Sequence, residues 1–552
     1  MKIKADRLRA SCARTLGLET KLEKRWFIAA FILLFAYLWA VLFLRSFLSD
    51  GFLPGVVCTI LFAAVQALPV CVLGVILFSK FHISTVSSNE WCPRLRRFFP
   101  VIVSALTFLY LLLWLIAYFP GGFSPDSVYQ YQQALTGEYN NWHPVLHTWI
   151  FFWLPLQIFH HPAGIVFFQI LLFSLAVGYL YHVLCRRGCP IAFLVFSWLF
   201  LILNPQTAKI MMFPWKDSAL TIAALMIFTQ VIEIYETDGA WLQKWHHFLS
   251  FTALCFVATV FRHNAILLTI PIYVILFLFQ KKARKSVLFS GLLVLLSLWL
   301  LNGPIMTLAN VASPGARQEE VLGLPMTILA EVYISTPDKL SPKALDFMSC
   351  LATLEEWFGN YQTGNFNSIK GSSSLPLVDL IENEGARTVL RYTVQAFLAS
   401  PIPALRGFAA LTQMVWNPVS SPGWSNVPPY CTSNDIGIAA QGNQQLARIL
   451  TCFSNTTESF LLYLFTGCIG MMILIAMFAA VTNVGRGKLG RAFMIFPMLI
   501  YDFGTMLLLT GPDFRFFHFN FVIIIPLLYL ILCEKAEAAE AVPKEESHEN
   551  QG

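Results

Sequence analysis

Long apolar runs separated by polar connections most limit how this chain of 552 residues can fold. A helix needs about 20 apolar residues to cross roughly 30 Å of hydrocarbon. Runs near that length lie at 26 to 44, 52 to 78, 98 to 119, 163 to 184, 217 to 235, 286 to 303, 458 to 482, 491 to 510 and 516 to 533. Shorter apolar runs lie at 191 to 203, 248 to 260 and 265 to 279. The pattern predicts an all-α polytopic membrane protein with about 12 transmembrane helices, in a range of roughly 10 to 14.

The composition agrees with a membrane protein. Charged residues make up 12% of the chain and hydrophobic residues 57%, whereas a soluble protein carries about 25% charged residues. A single soluble domain is therefore excluded, and the lipid bilayer is the expected environment. The sequence contains neither a Walker-type nor a dinucleotide-type glycine loop, so ATP-driven transport is disfavoured.

The distribution of Lys and Arg orients the predicted helices, because short cytoplasmic loops retain positive charge. With the N-terminus inside, the inner segments carry 24 of the 37 Lys and Arg residues, and the short outer loops carry five. The other eight lie in the segment 304 to 457, which is too long to follow this rule. We predict a plasma-membrane protein with both termini cytoplasmic. The net charge of +6 reflects this orientation, and no nucleic-acid partner is predicted.

The predicted topology divides the chain into consecutive regions. They are a basic cytoplasmic N-terminus at 1–25, a transmembrane region at 26–303 with an outer catalytic loop at 120–162, an extracytoplasmic segment with amphipathic helices at 304–457, C-terminal transmembrane helices at 458–533, and an acidic cytoplasmic tail at 534–552. The tail is rich in Glu and poor in apolar residues, which is typical of disorder. Cys350, Cys431 and Cys452 fall on the outer side, where one disulfide among them is open.

Five polar motifs fall on the predicted outer face. They are SPDS and NWHP in the first outer loop, FPWKD at 213–217, FRHN at 261–264 and GPDFRFFH at 511–518. Ionisable groups at membrane level are costly and usually functional. Structural polar residues would be expected on both faces, so the one-sided placement predicts a shared outward-facing site.

Asp126 is the centre of the first motif. One face of the predicted helix carries four hydrogen-bonding side chains, namely Asp126, Tyr129, Gln130 and Gln133. Such a stripe suits a sugar. The alternative is that Asp126 only complements the positive N-terminal end of this helix, where Ser124 suits the N-cap.

His143 and His147 follow in the same loop, at a spacing of i and i+4. The spacing is compatible with a metal, but a metal site needs a third and a fourth donor, which the loop does not obviously supply. The other interpretation is a polar pocket lined by His143, and Tyr139 joins it as a substrate-binding candidate. A divalent metal such as Mg²⁺ or Mn²⁺ stays open.

The cationic motifs indicate phosphate binding. Arg262 and Arg515 lie at the outer ends of apolar helices, and a guanidinium binds phosphate through two parallel hydrogen bonds. The alternative is a structural ion pair with a partner such as Asp513. Lys216 can extend to the membrane surface, and Asp217 can complement a helix N-terminus. The substrate-binding candidates from these motifs are Lys216, Asp217, Arg262, His263, Asn264, Asp513, Arg515 and His518.

Taken together, a carboxylate, several cations and polar aromatic residues at membrane level fit a sugar linked to a lipid phosphate. The phosphate is the leaving group, and the cations stabilise its developing charge. Asp126 can deprotonate the acceptor hydroxyl. No nucleotide is needed, which agrees with the absence of a nucleotide-binding loop.

The run that starts at Asp126, DSVYQYQQALTGEYNNWHPVLHTWI, resembles the first-loop signature of GT-C type membrane glycosyltransferases. This group includes protein mannosyltransferase-like and lipid A aminoarabinose transferase-like enzymes. The resemblance implies a polyprenyl-phosphate sugar donor, an envelope glycan, lipid or protein as acceptor, and Asp126 in the place of the essential acidic residue. Most of the chain also resembles a group of bacterial polytopic membrane proteins that share the WKD, RHN and DFR motifs, which implies no activity by itself.

The chain departs from the family pattern at two positions. Ser127 replaces the second residue of the usual acidic pair, and Val145 replaces the second proline of the His-Pro-Pro motif. A single carboxylate favours an acceptor-side base at Asp126 over a metal ligand.

Other classes stay open at this point. A secondary transporter or flippase of a glycan or lipid-linked substrate would place ionisable residues near mid-membrane and broken helices in paired halves. A glycan polymerase or an acyl transferase would use similar outward groups, and only its product separates it. In the long outer segment, Trp416, Trp424 and Tyr430 can either stack on a sugar or anchor at the membrane interface.

Overall fold

The structure is a computed structural model that describes residues 21–48, 56–85, 93–313, 318–370, 377–420, 427–457 and 460–534. Helices dominate these ranges. In chain order they are α1 Lys21–Arg45, α2 Val56–Phe78, α3 Pro93–Ala117, α4 Pro125–Thr136, α5 Val145–Ile158, α6 Pro162–Arg186, α7 Ile191–Ile202, α8 Pro205–Met212, α9 Lys216–Glu236, α10 Trp245–Phe261, α11 His263–Phe279, α12 Lys281–Leu308, α13 Gln318–Val321, α14 Gly323–Ser335, α15 Pro342–Leu351, α16 Leu354–Asn360, α17 Asn367–Lys370, α18 Leu377–Glu384, α19 Ala386–Ala399, α20 Pro401–Trp416, α21 Gln444–Thr457, α22 Phe460–Thr466, α23 Ile469–Gly485, α24 Leu489–Ala492, α25 Phe496–Met506 and α26 Phe514–Leu532. Two short strands, β1 Ile83–Ser84 and β2 Cys533–Glu534, pair in parallel.

Among the described residues, seven helices are long and apolar enough to cross a membrane, namely α1, α2, α3, α6, α9, α12 and α26. Helices α7 and α8 meet at a bend of 53° and pass the same test together, which makes eight. The protein is thus all-α with several candidate membrane spans. The predicted total of about 12 spans also counts shorter apolar helices such as α10, α11 and α23, which need tilt or local thinning of the bilayer to cross. That total stays a prediction.

Helix α9 forms the centre of the bundle. In its apolar window 94% of the residues are buried, compared with 17% in α1 and 22% in α2. It packs against α6, α10 and α26. A helix that is apolar all round is expected in the interior of a membrane bundle, whereas the exposed apolar faces of α1 and α2 are left for lipid.

Ion pairs fix the end of α9 that is predicted to be cytoplasmic. Glu233 pairs with both Arg186 and Arg187 at the end of α6, and its side chain is 1% exposed. Arg491 donates a hydrogen bond to Glu236 at 2.8 Å. The arginines on which the predicted orientation rests therefore also join neighbouring helices.

The long segment 304–457 is attached to the first outer loop by backbone hydrogen bonds. The Phe123 amide donates to the Tyr430 carbonyl at 2.8 Å, and the Gln441 amide donates to the Phe119 carbonyl at 2.8 Å. Within the segment, α14 packs against α19 and α20. The segment therefore contributes directly to the surroundings of Asp126.

Two aromatic candidates of the long segment can be located. Trp416 is 4% exposed, and its carbonyl accepts a hydrogen bond from the Tyr37 hydroxyl at 2.8 Å. It therefore packs in the interior and neither faces a sugar nor anchors at the interface. Trp424 lies outside the described residues, as do 1–20 of the basic N-terminus and 535–552 of the acidic tail.

The three outer cysteines do not form a disulfide. Cys350, Cys431 and Cys452 are all free thiols. The Cys431 thiol instead donates to the Gly121 carbonyl at 3.4 Å, beside the loop that leads to Asp126. Gly121 has a φ of +117°, a conformation that glycine adopts without steric cost.

Candidate functional site

Asp126 lies in the first turn of α4 and forms an ion pair. Pro125 begins the helix, since its fixed φ angle suits a first helical position. The Asp126 carboxylate accepts a hydrogen bond from Arg515 Nη1 at 3.1 Å. Arg515 lies in the first turn of α26, 389 residues further along the chain, so Asp126 does more than complement the N-terminus of its own helix.

Three carboxylates surround Arg515. Besides Asp126, Asp513 accepts a hydrogen bond from Arg515 Nε at 2.8 Å, and an oxygen of Asp217 lies 3.8 Å from the same nitrogen. Asp217 also pairs with Arg262, and the exposed fractions of these two side chains are only 2% and 10%. Two arginines and three aspartates thus form one network, in which buried charges have the opposite neighbours that they require.

Arg262 is the more buried arginine of this network, and it does not line the cavity that opens beside Asp126 and Arg515. Its Nε donates to Asn264 Oδ1 at 2.7 Å, and Asn264 donates to the Thr505 hydroxyl at 2.6 Å. Its guanidinium lies 3.8 Å from the centre of the Phe516 ring. In this arrangement Arg262 holds Asp217 in place, whereas Arg515 is the arginine that reaches the cavity.

A cavity of about 290 Å³ opens beside Asp126 and Arg515. Its wall combines residues from distant parts of the chain, because Lys209 comes from α8, Asn367 from α17 and Tyr430 from the long segment. The sequence-based prediction missed Lys209. This residue is buried, with 6% of its surface exposed. A lone lysine in a short apolar helix, four residues before the FPWKD motif, is the signal that could have identified it.

The aromatic residues of the cavity wall differ in whether a ring face is open. Trp215 stacks on Phe213 at 4.1 Å, and Arg515 lies 4.8 Å from its ring centre. The Trp215 indole N–H also donates to Ser124 Oγ at 2.7 Å. Tyr430 meets Phe213 edge to face at 5.5 Å and is 36% exposed. Tyr430 is therefore better placed than Trp215 to stack on a sugar.

Half of the predicted stripe on α4 faces the protein interior, since Gln130 and Gln133 are buried while Tyr129 is exposed and Asp126 lines the cavity. Gln130 Nε2 lies 2.9 Å from His147 Nδ1 and donates to Thr148 Oγ1 at 2.9 Å. Gln133 Oε1 accepts the Asn140 amide at 3.1 Å. These glutamines hold the loop after α4 against the helix, and they lie outside the lining of the cavity.

His143 is buried beside the site. It is 3% exposed, and its ring packs against Tyr129 with the two ring centres 5.9 Å apart. Burial is the main cause that lowers the pKa of His143 to about 3, and Lys216 acts in the same direction while Asp126 opposes the shift. His143 is therefore neutral at pH 7.

The carboxyl group of Asp126 is charged, in contrast to the neutral ring of His143. Burial disfavours its ionised form, but the positive charges of Arg515 and Lys216 outweigh that effect and lower the pKa of Asp126 to about 2. Asp126 is therefore ionised at neutral pH. As long as it is paired with Arg515 it is a weak base.

The structure also locates the remaining candidates. Lys216, the first residue of α9, is close enough to Asp126 to interact electrostatically. His263 lies beside the backbone of the first outer loop, near Trp142. His518 is fully buried, and its Nε2 lies 3.1 Å from the Thr207 hydroxyl. Tyr139 packs edge to face on Trp149 at 5.8 Å.

The residues of the site do not fit a divalent metal. Within the described ranges, no group of three or more His, Cys, Asp and Glu side chains converges as metal ligands would. The aspartates at the site are instead paired with guanidinium groups, which take up the carboxylate oxygens that Mg²⁺ or Mn²⁺ would need. His143 and His147 also have separate surroundings, since His147 stacks on Phe151 at 5.1 Å.

No protein-family model, no curated protein and no solved structure matches this chain. The structure brings together residues of four predicted motifs, namely Asp126, Asp217, Arg262, Asp513 and Arg515. Of the NWHP motif, His143 lies near this group and His147 points into the aromatic interior.

Proposed function

We propose that this protein is a membrane glycosyltransferase that moves a sugar from a polyprenyl-phosphate donor to an envelope glycan, lipid or protein on the outer face. One observation carries the proposal: an ionised carboxylate, Asp126, and a guanidinium, Arg515, border the same cavity. A carboxylate can accept the proton of an acceptor hydroxyl, and a guanidinium can hold a phosphate. Lys209 adds a second cation to the wall of the cavity.

In the proposed reaction, an acceptor hydroxyl attacks the anomeric carbon of the donor sugar. The new bond joins the acceptor oxygen to that carbon, and the bond between the carbon and the phosphate oxygen breaks. The hydroxyl proton goes to Asp126, and the electron pair leaves with the polyprenyl phosphate. Arg515 and Lys209 stabilise the charge on the leaving phosphate, and Tyr430 offers a ring face to the sugar.

The proposal predicts that Asp126→Asn abolishes transfer while the protein still folds. Loss of a general base lowers a rate by about 100-fold or more. The measurement is the profile of envelope glycans and glycolipids from cells that lack the native gene and carry either variant or wild-type protein. Glu138→Gln is the matched control, because Glu138 is an exposed carboxylate of the same loop, and it should transfer normally. Full transfer by Asp126→Asn, at wild-type protein levels, would reduce Asp126 to a structural residue.

A secondary transporter or flippase is the second candidate, and Asp502 is the observation that favours it. Asp502 lies in α25 with no exposed surface, and one of its oxygens accepts a hydrogen bond from Asn520 at 2.8 Å. Its other oxygen has no hydrogen-bond partner among the described residues. A buried ionisable residue in a membrane protein often marks an ion pathway. Proteoliposomes can test proton-driven uptake of a glycan or lipid-linked substrate. Uptake by the wild type that is lost in Asp502→Asn would favour transport over transfer.

A further inference from the structure

The three carboxylates around Arg515 are held with unequal strength. Asp513 is fixed twice, because its side chain accepts Arg515 Nε at 2.8 Å and the Arg515 backbone amide at 3.4 Å. Asp217 is buried to 2% side-chain exposure and is shared with Arg262. If either carboxylate moved away from Arg515, another charge or hydrogen-bond donor would lose its partner, which is costly in a buried position.

Asp126 is held more weakly. Its hydrogen bond to Arg515 is 3.1 Å long, and its side chain is 35% exposed, compared with 26% for Asp513. It lies at the first turn of α4, so after separation its charge is still favoured by the helix N-terminus. Lys216 is a second positive neighbour of Asp126. Asp126 is therefore the partner that Arg515 can exchange at the smallest cost.

Both members of this pair line the cavity. A guanidinium offers the same donors to a carboxylate and to a phosphate, and a phosphate provides more charge and more acceptor oxygens. A phosphate group in the cavity therefore competes with Asp126 for Arg515 Nη1.

We propose that a phosphate group entering the cavity displaces Asp126 from Arg515, so that the ligand itself frees the carboxylate. The identification of this phosphate as that of the lipid-linked donor rests on the proposed function. Without a donor, Asp126 stays paired with Arg515. With a donor bound, the carboxylate loses that hydrogen bond and can turn to the acceptor hydroxyl, so the donor has to bind before the acceptor reacts.

Changing a residue of a binding site usually weakens binding, but the exchange predicts stronger binding when Asp126 is changed. Removal of the competing carboxylate should strengthen phosphate binding, because Arg515 no longer has to give up a partner. We expect Asp126→Asn to bind inorganic phosphate about twofold to fivefold more tightly than wild type, since fivefold corresponds to a single weak ion pair. Arg515→Gln should lose the binding. Glu138→Gln, in which an exposed carboxylate of the same loop is changed, should bind like wild type.

The experiment is isothermal titration calorimetry of the purified full-length protein in detergent, at constant pH and ionic strength. Asp126→Ser is a second variant without the carboxylate, and size-exclusion elution shows that each variant is folded. Tighter binding by either folded variant supports the exchange. Unchanged or weaker binding in both, or no binding by any form, overturns it.

A parallel titration with a short-chain isoprenyl monophosphate identifies the source of the phosphate. If Asp126→Asn strengthens the binding of both probes and the isoprenyl compound binds more tightly, the exchange holds and the ligand is a lipid phosphate. If both probes bind alike, the exchange holds for free phosphate. The calorimetry does not measure sugar transfer. The exchange can therefore be supported while the glycan profile refutes a transferase, and the exchange can be overturned while the glycan profile supports a transferase.

Discussion

At the scale of single residues, burial separates side chains that look alike in the sequence. Asp126 and Asp217 both lie in the first turn of a helix, yet their side-chain exposures are 35% and 2%. Arg262 and Arg515 differ in the same way, because Arg515 borders the cavity and Arg262 is packed under Phe516. The exposed pair is suited to exchange with a ligand, and the buried pair is suited to fixing the site.

His143 should make the stability of the protein depend on pH. Its folded-state pKa is about 3, whereas an unfolded histidine has a pKa of about 6.5. Between these values the unfolded chain binds a proton that the folded protein does not, so folding is fully favoured above about pH 6.5 and weakens as pH falls. The expected contribution approaches about 1.4 kcal/mol per pH unit.

This dependence can be measured by denaturant unfolding in detergent at pH 7, 6 and 5. The variant His143→Gln lacks the titrating group, and its free energy of unfolding should fall less steeply with decreasing pH. Equal slopes for wild type and variant would mean that the His143 ring accepts a proton freely in the folded protein.

At the scale of elements, Asp217 connects helices that are distant in sequence. It lies in the first turn of α9, while its partners Arg262 and Arg515 lie at the end of α10 and the start of α26. Helix α9 is also fixed at its other end through Glu233. The central helix of the bundle is therefore held by buried ion pairs at both ends, and the site is built around those at the Asp217 end.

Asp217→Asn should destabilise the fold as well as the site. Removal of one partner from a buried ion pair leaves an uncompensated charge, here on Arg262, and typically costs about 3–5 kcal/mol. Asp238→Asn is the matched control, because Asp238 forms an exposed pair with Lys282 at 3.8 Å, and exposed pairs contribute about 0–1 kcal/mol. The free energies of unfolding in detergent give both values. A loss for Asp217→Asn as small as that of the control would show that Arg262 finds another partner.

At the scale of the whole molecule, the residues of the site come from opposite ends of the chain and meet where several helices end. Asp126 and Arg515 are separated by most of the sequence, and the long segment adds Tyr430 to the same cavity. The ends of α6 and α9 that are predicted to be cytoplasmic carry the Arg186, Arg187 and Glu233 cluster. The two ends of α9 thus carry different sets of charged residues.

The orientation in the membrane can be tested with native cysteines. Cys350 and Cys452 are exposed thiols in the segment predicted to be outside. A membrane-impermeant maleimide should label them in intact cells, and the label should decrease strongly in the double variant Cys350→Ser and Cys452→Ser. A cysteine placed at the exposed Lys244 of that variant should react only after permeabilisation. The opposite labelling pattern would invert the topology.

The sequence alone determined the class of the molecule and the neighbourhood of its site. Apolar runs indicate helices that lipid can surround. Exposing apolar groups to water or unpaired polar groups to lipid costs free energy, and the local composition of a segment determines that cost. The motifs around Asp126, Asp217, Arg262 and Arg515 were identifiable for a similar reason, since charges are rare in such a chain. Short bent helices such as α7 and α8 are harder to predict from the sequence, because the neighbouring helices decide whether they span the membrane.

Only the tertiary structure decided which of these charges border the cavity. It pairs Arg262 with Asp217 in the interior, turns Gln130 and Gln133 inward, and brings Lys209 and Tyr430 to the cavity. The physical reason is that exposure and ion pairing depend on contacts between residues far apart in the chain. A local pattern shows that a charge is unusual, but only the packing of distant helices shows what it is paired with.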